Sequence, residues 1–307
     1  MFAYILRRVA FAVPTIFVII LLTFILLHAA PGGPFDSLQD IDPAVLANLR
    51  SAYHLDDPVW MQFWTYLSGL LRGDMGPSLI YRELTVNQII VTGLPVSVTL
   101  GLSAIVIGLS VGLCCGIVAA LRQNSLLDYA VMAAAMTGVA IPTFVTAPLL
   151  ILVFGLTLAW LPISGWNGGQ IKHLILPVTA LAIPKVAVIA RITRGAMLES
   201  INMDYVRTAR AKGMREIKVI TRHVMRPVLI PVVSYLGPAI ATVMTGSVII
   251  ENIFGLPGLG RAFVEGAINR DYPVVMGIVI IYAIFIVMLN LFADILYGFL
   301  DPRVRQK

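Results

Sequence analysis

Long apolar stretches separated by short polar ones run along the whole 307-residue chain. A continuous apolar run of about 20 residues lets an α-helix cross a bilayer, so each such run predicts a membrane span. Six windows satisfy this criterion, at about 9–29, 93–121, 129–160, 174–196, 228–250 and 275–299. The second and third are longer than a bilayer requires, which predicts tilting or extension beyond the membrane. Lys185 and Arg191 interrupt the fourth.

The first window also resembles a secretory signal peptide, because Arg7 and Arg8 precede it and Ala29-Ala30 follows it. Its apolar run is longer than a typical signal core, and five further windows follow it. We therefore expect a retained membrane helix at this position.

The segment 30–90 is the longest polar interval, and it contains seven acidic residues against three basic ones. Asp42-Pro43 and Asp57-Pro58 each combine an N-cap residue with a proline suited to the first helical position. Each dipeptide precedes an amphipathic stretch, so two short surface helices are predicted. The second helix carries four aromatic residues, Trp60, Phe63, Trp64 and Tyr66. They suit either an interfacial aromatic belt or a docking surface for an external partner.

Composition places the chain among the integral membrane proteins. Hydrophobic residues make up 59% and charged residues 12% of the chain, and the mean hydropathy is +0.91. A charged share about half that of soluble domains cannot cover a water-exposed surface, and disorder requires low hydrophobicity. We therefore predict an all-α integral membrane protein with six transmembrane helices, and not a soluble enzyme, a disordered chain or a barrel.

The basic residues indicate how the chain is oriented. One alternating set of segments, comprising the N-terminus, 122–128, 191–226 and the C-terminal tail, carries 15 Lys and Arg residues, whereas the other set carries six. Because basic residues are enriched in cytoplasmic loops, both termini are predicted to be cytoplasmic. The same rule explains the net charge of +6 better than nucleic-acid binding does, so no nucleic-acid partner is expected.

Small residues and prolines within the windows predict how the helices pack. Gly108, Gly112 and Gly116 recur every four residues and so lie on one helix face, which permits close approach of a second helix. Eight prolines also fall within the windows: Pro14, Pro95, Pro142, Pro148, Pro177, Pro184, Pro231 and Pro238. Membrane helices tolerate proline where neighbours satisfy the released carbonyls, so kinked helices around a path are expected.

The sequence offers no recognisable catalytic or metal-binding pattern. It lacks the GxxxxGK[ST], HExxH and CxxC motifs, and its four histidines are scattered. Cys114 and Cys115 are adjacent within an apolar window, where they suit the role of small apolar fillers. We therefore expect no catalytic residue, no metal site and no bound cofactor in this chain.

Four polar residues lie inside or at the edge of the predicted spans: Lys185, Glu251, Asn290 and Asp294. A charge at membrane depth is costly, so such residues either pair structurally or line a transport path. Lys185 is expected to extend toward the interface or to pair with Asp294. A proton-coupled carrier is disfavoured, because such carriers show several intramembrane carboxylates and repeated halves.

The most informative cytoplasmic segment is 199–231, which is longer and more patterned than a simple connector. On a helix, Val206, Ala209 and Gly213 share one face and most basic residues fall elsewhere, while Gly213 is placed to end that helix. A short helix of small residues suits a cleft in another protein, whereas a basic amphipathic helix also suits a surface of anionic lipid. The residues alone leave both interpretations open.

Several motifs resemble those of ATP-binding cassette (ABC) importer permeases, in the branch that transports dipeptides, oligopeptides, nickel and glutathione. DYVRTARAKG followed by RHVMRPVLIP is similar to the cytoplasmic coupling loop, with Arg207 to Gly213 in place of the general glutamate-alanine-alanine core. The other matching stretches are LRRVAFAVPTIF, APGGPF, YHLDDP, GDMGPS, GSVIIENIFGLPGLGRAFVEGAINRDYPVVMG and the final DPR. AMTGVAIPTFVTAPLL and GWNGG are similar to the B-type permeases of oligopeptide importers.

The resemblance implies a type I ABC importer transmembrane domain in the bacterial inner membrane. Residues 1–90 would form the first helix and the external loop, 91–300 the transmembrane domain containing the coupling loop 199–231, and 301–307 a cytoplasmic tail. The residues implied to form the ATPase-coupling loop are Tyr205, Arg207, Thr208, Ala209, Arg210, Ala211, Lys212 and Gly213.

The implied partners are a C-type permease subunit, two ABC ATPases that use ATP and Mg, an external peptide-binding protein and membrane lipid. Peptide is the implied cargo, with dipeptide, nickel and glutathione as alternatives. A stand-alone secondary carrier and a membrane-embedded enzyme are the other function classes. A self-sufficient carrier needs no docking helix, and an enzyme needs a clustered nucleophile, base or metal ligand.

Overall fold

The fold is seen in a computed structural model that describes residues 2–29, 48, 51, 55–81 and 83–300, with the backbone alone at 2–9, 245–246 and 294–300. In these ranges the α-helices are α1 (Phe2–Ala29), α2 (Val59–Leu71), α3 (Val86–Leu121), α4 (Leu126–Ala140), α5 (Thr143–Leu150), α6 (Ile171–Ile201), α7 (Asp204–Ala211), α8 (Glu216–Val219), α9 (Met225–Ile253), α10 (Leu259–Ile268) and α11 (Tyr272–Leu300). π-helical turns extend α5 over Ile151–Thr157 and join α8 to α9 over Ile220–Val224. The all-α prediction is confirmed for the part of the chain described.

Five of the six predicted windows lie within continuous helices. These are α1, α3, α6, α9 with α8 before it, and α11, and each is long and apolar enough to cross a membrane. The remaining window corresponds to α4 and α5, which make a sixth span if the two are counted together.

The third window, 129–160, does not form the single long helix that its length predicts. α4 ends at Ala140 and α5 begins at Thr143, and the two helices are bent by 106°. Pro142 has no backbone N–H, and Ile141 before it adopts an extended conformation with φ −88° and ψ 119°. A proline ring pushes the preceding residue out of the helical region, so the chain turns here instead of tilting.

α3 packs tightly on α6 along the predicted glycine stripe of Gly108, Gly112 and Gly116. A Cβ atom built on Gly112 would lie 2.8 Å from the Cβ of Ile189, and one built on Gly116 would lie 2.6 Å from the carbonyl oxygen of Ala190. Any side chain at these positions would force the helices apart. The stripe therefore sets the separation of α3 and α6, as its spacing predicts.

α1 lies at the side of the bundle and packs against α2 and α11. Ile20 and Phe24 of α1 form a buried cluster with Phe63 of α2 and Met276 of α11. The remaining surface of α1 is largely exposed apolar side chains, which suits a helix surrounded by lipid.

α2 is the second of the two predicted surface helices. It begins at Val59, one residue later than predicted, so that Pro58 occupies the N-cap position. Trp60 and Trp64 are exposed on it, and the belt and docking interpretations of its aromatic residues both stay predictions. The first surface helix, predicted after Pro43, falls almost entirely on residues outside the described ranges.

Candidate functional site: a short helix mounted on the bundle

The segment singled out by the sequence lies at one end of the helix bundle. We call this the basic end and define it by residues 122–125 and 202–224. α6 ends there at Ile201, and a two-residue turn leads into α7. The inner face of α7 is buried in a cluster that joins it to α3, α6 and the start of α9, formed by Ala120, Met197, Val206, Ala209, Val219, Val224 and Val228. The helix is therefore fixed to the membrane helices by apolar packing.

Gly213 ends α7 as its position predicts. Its φ of +73° lies in the left-handed region that a Cβ atom disfavours. The N–H of Gly213 donates to the carbonyl of Arg210 at 2.9 Å, and the N–H of Met214 donates to the carbonyl of Ala209 at 3.3 Å. These two bonds form a Schellman motif, and Ala209 and Met214 supply its apolar contact within the same cluster. The turn thus sets the direction in which the chain leaves α7.

An ion pair closes the same turn from outside. Arg210 donates through Nε to Oε2 of Glu216 at 3.1 Å and through Nη2 to Oε1 at 2.6 Å. These hydrogen bonds raise the pKa of Arg210, whose guanidinium is charged in any case. Because both side chains are more than a third exposed, the pair contributes little stability, and it orients α7 relative to α8.

The outer face of α7 is polar and exposed. It carries most of the residues that the resemblance implies for ATPase contact, namely Tyr205, Arg207, Thr208, Arg210, Ala211 and Lys212. Tyr205 is held at its base, where its hydroxyl lies 3.0 Å from Oγ of Ser200. Ala209 differs from the rest, because its side chain packs inside this chain and is only 5% exposed. Val206, which shares that face, is likewise buried, so neither residue presents a surface to a partner.

A second connection, just inside the bundle from the basic end, was not predicted from the sequence. Asp128, in the first turn of α4, is 1% exposed and accepts from Nε of Arg194 at 2.6 Å and from Nη2 at 2.8 Å. The same carboxylate accepts from the backbone N–H of Asn124 at 3.0 Å. The pair ties α4 to α6, two turns before α6 leads into α7. The Ser125-x-x-Asp128 spacing, which predicts a helix start, was the available signal.

We expect an Asp128→Asn chain to be less stable, because Arg194, whose side chain is 25% exposed, would keep its charge without the carboxylate that accepts its two short hydrogen bonds. The measurement is the melting temperature of the chain purified in detergent. Asp204→Asn is the matched control, since Asp204 pairs with Arg207 at 3.7 Å on an exposed surface. Loss of this pair should change the free energy of unfolding by no more than about 0.5 kcal/mol. Equal melting temperatures for the two variants would contradict the assignment.

The polar residues predicted inside or at the edge of the spans are not gathered into one site. Lys185 of α6 donates through Nζ to Oγ1 of Thr242 of α9 at 2.6 Å, midway along α6. Asn290 of α11 lies against Gly237 of α9, where a Cβ atom would meet its Oδ1 at 2.6 Å. The side chain of Asp294 is outside the described part of the structure.

Glu251 lies at the opposite end of the bundle and is fully buried. Its carboxylate accepts from Oγ of Ser97 at 2.7 Å and from the backbone N–H groups of Gly260 at 2.6 Å and Arg261 at 3.2 Å. These bonds join α3 and α9 to the start of α10. The arrangement supports structural pairing for Glu251, one of the two roles that the sequence left open.

Another buried carboxylate at this end was not singled out by the sequence. Asp271, just before α11, accepts from the hydroxyl of Ser78 and from the backbone N–H of Leu79 at 3.2 Å. It thereby fastens the segment before α3 to the start of α11. Within the described residues, no group of three His, Cys, Asp or Glu side chains is placed to hold a metal ion.

Comparison with known proteins identifies the family. The family model described as binding-protein-dependent transport system inner membrane component matches residues 112–306, and its N-terminal companion model matches residues 1–100. The chain belongs to this family of transport components. It is therefore a multi-pass permease subunit of an ABC importer in the bacterial inner membrane, and it is not an enzyme. ATP hydrolysis belongs to separate ATPase subunits, and a substrate-binding protein completes the system.

Curated relatives match along the whole length of this family member. The oligopeptide transport system permease protein OppB of Salmonella typhimurium is 47% identical over 305 residues, which cover 99% of this chain and 100% of that protein. OppB of Haemophilus influenzae is 45% identical with the same coverage. The dipeptide transport system permease protein DppB of Bacillus subtilis is 43% identical over 302 residues, which cover 98% of this chain and 97% of that protein.

Solved structures support the type I ABC importer permease fold. An inward-facing form of the MetNI methionine ABC transporter matches with a TM-score of 0.59 and 17% identity, over 69% of this chain and 96% of that chain. An amino acid ABC transporter crystallised with histidines matches with a TM-score of 0.52 and 20% identity, over 68% of this chain and 92% of that chain.

Proposed function

We propose that this permease serves an oligopeptide importer. The observation that carries the proposal is the 47% identity to an OppB permease over 99% of the chain. Dipeptide import is the second candidate, because DppB permeases are 43% and 39% identical over almost the same length. Nickel and glutathione are the remaining alternatives from the resemblance in the sequence.

In this proposal the chain forms half of the translocation path and a C-type permease subunit forms the other half. The basic end faces the cytoplasm, because it belongs to the set of segments that carries 15 of the 22 Lys and Arg residues of the chain. The exposed apolar side chains of α4 and α5, such as Tyr129, Met136 and Phe144, suit contact with a second permease or with lipid.

The exposed face of α7 is the coupling surface of the proposal. It seats in a groove of one of two partner ATPases, and those ATPases bind ATP and Mg. Closure of the ATPases then moves α7, and the Schellman turn and the buried cluster pass this movement to α6 and α9. A stand-alone carrier would have no use for a polar helix fixed to the bundle in this way.

The substrate-binding protein docks at the opposite end of the bundle in this proposal. α2 presents Trp60 and Trp64 there, and exposed aromatic side chains are enriched at protein interfaces. Buried ties at Glu251 and Asp271 hold the helix starts and loops of this end in place. The docked protein would release peptide into the path between the two permeases.

The decisive experiment is binding-protein-stimulated ATP hydrolysis and uptake in liposomes. The chain would be co-expressed with its genomic neighbours, and the reconstituted complex would receive the binding protein with a pentapeptide, a dipeptide, nickel or glutathione. We expect the pentapeptide to stimulate hydrolysis and to accumulate in the vesicles. Stimulation by the dipeptide alone, or by nickel or glutathione, would keep the importer and change its cargo. Transport by this chain without any ATPase would refute the proposal.

A further inference from the structure

Lys185 carries a charge at the centre of a membrane-spanning helix. It lies about 21 Å from the start of α6 at Ile171 and about 24 Å from its end at Ile201, at 1.5 Å per residue. A lysine side chain reaches about 6 Å, so it cannot extend to either interface as the sequence analysis expected. Its ammonium group must therefore be satisfied within the bundle or at a surface that is not lipid.

The contacts of Lys185 hold its stem and direct its ammonium outward. The residue is 8% exposed, and its Cβ packs so closely on Gly108 of α3 that a Cβ there would lie 2.7 Å away. The Nζ atom reaches across to α9, where it donates to Oγ1 of Thr242 at 2.6 Å. Thr242 is itself exposed on α9, so the ammonium lies at the edge of an open face.

No carboxylate neutralises Lys185 within the described residues. The ion pairs found there join Asp128 to Arg194, Asp204 to Arg207, Arg210 to Glu216 and Arg261 to Glu265. The charge is therefore balanced by none of the described side chains, although a buried cation without a counter-ion is costly.

The predicted pair with Asp294 stays a prediction, because the side chain of Asp294 is outside the described part of the structure. Asn290 lies level with Gly237 on the antiparallel α9. Asp294 is one turn further toward the basic end, whereas Thr242 is about 7.5 Å from Gly237 in the other direction. The backbone levels of Thr242 and Asp294 are therefore about 13 Å apart along the bundle.

The face of α9 on which Thr242 lies is polar for a membrane helix. Ser234 and Thr242 are both exposed on it, with Pro238 exposed between them, and these positions recur every four residues. A charged group beside such a face indicates water or a polar ligand, since lipid would leave it uncompensated. The face formed by α6 and α9 at this depth is therefore a candidate wall of the translocation path.

From this geometry we infer that Lys185, held in position by Thr242, forms a cargo-binding site for the C-terminal carboxylate of the transported peptide. The inference rests on the proposed function, because it takes the cargo to be a peptide. A C-terminal carboxylate is present on every unmodified linear peptide, whatever its sequence. One cation in the path can thus recognise peptides without reading their side chains, through a charge-assisted hydrogen bond.

The test compares a pentapeptide with the same peptide amidated at its C-terminus. Uptake into liposomes is measured at concentrations that load the binding protein with either peptide. In Lys185→Met, we expect the ratio of free-acid to amide uptake to fall about tenfold relative to the unmodified complex, as a lost charge-assisted bond predicts. Lys185→Arg should keep most of the ratio. Lys172→Met, which removes an exposed lysine from the first turn of α6, should leave the ratio unchanged.

The outcomes separate this inference from the proposed function. If the unmodified complex imports neither peptide, the proposed function is wrong and the inference falls with it. If Lys185→Met lowers both uptakes equally, or leaves their ratio unchanged, the inference alone is overturned. Loss of complex assembly in Lys185→Met would also overturn it, because the lysine would then pair with a carboxylate of the partner permease.

Discussion

A Gly213→Val chain is expected to insert into the membrane in normal amounts and to support about tenfold less peptide uptake than the unmodified chain. The φ of +73° at this position costs a β-branched residue more than it costs any other side chain. No atom lies within 4 Å of the place where a Cβ would be, so the effect is backbone strain and not a clash. Relief of the strain reorients α8 relative to α7 and breaks the Schellman bonds.

The matched variant is Gly213→Asn, because asparagine adopts the left-handed region more readily than other non-glycine residues. It should retain most of the uptake. Both variants would be compared for membrane accumulation, basal ATP hydrolysis and peptide uptake in reconstituted complexes. Normal uptake by Gly213→Val at normal protein levels would show that the turn does not transmit movement from the ATPase.

A Gly116→Leu chain should lose about 3 kcal/mol of stability or more and should accumulate poorly. A Cβ on Gly116 would lie 2.6 Å from the carbonyl oxygen of Ala190 and 2.6 Å from the Cβ of Thr193. Because one of these atoms belongs to the backbone of α6, no rotation of a side chain can relieve the overlap. The two helices must separate, and the contacts along the rest of the glycine stripe are lost with it.

Gly195→Leu is the control on the partner helix, since no atom lies within 4 Å of its Cβ position and its φ is not positive. Its accumulation and melting temperature in detergent should match those of the unmodified chain. Transport is not the measurement here, because Gly195 is exposed near the basic end. Similar melting of Gly116→Leu and Gly195→Leu would refute the packing assigned to α3 and α6.

Local apolarity predicted most of the fold, because a continuous apolar run of sufficient length is enough to identify a membrane-spanning helix. The glycine stripe predicted the close approach of another helix to α3, without indicating that it is α6, and Gly213 predicted the end of α7. The prediction of one long helix over 129–160 was wrong, because apolarity alone does not reveal the effect of Pro142 on the conformation of the residue before it. The length of α6 was underestimated for a related reason. Its last turn contains Glu199 and Ser200, so it is helical without being apolar.

The connections between distant helices could not be predicted from the sequence. Asp128 and Arg194 are 66 residues apart, and Ser78 and Asp271 are 193 residues apart, so their pairing depends on which helices become neighbours. The burial of individual residues of α7 could not be predicted for the same reason. Ala209 and Ala211 are the same residue type, and only the position of α7 on α3 and α6 buries the first and exposes the second.

The two faces of α7 also bear on how such a transporter can change its partners over time. The inner face is constrained by packing within the permease, because Val206 and Ala209 belong to its buried core. The outer face of Arg207, Thr208 and Lys212 makes few contacts within the chain, so substitutions there would alter the choice of ATPase at little cost to the permease. Duplicated copies of the gene could thus diverge toward different ATPases while inheriting an unchanged membrane scaffold.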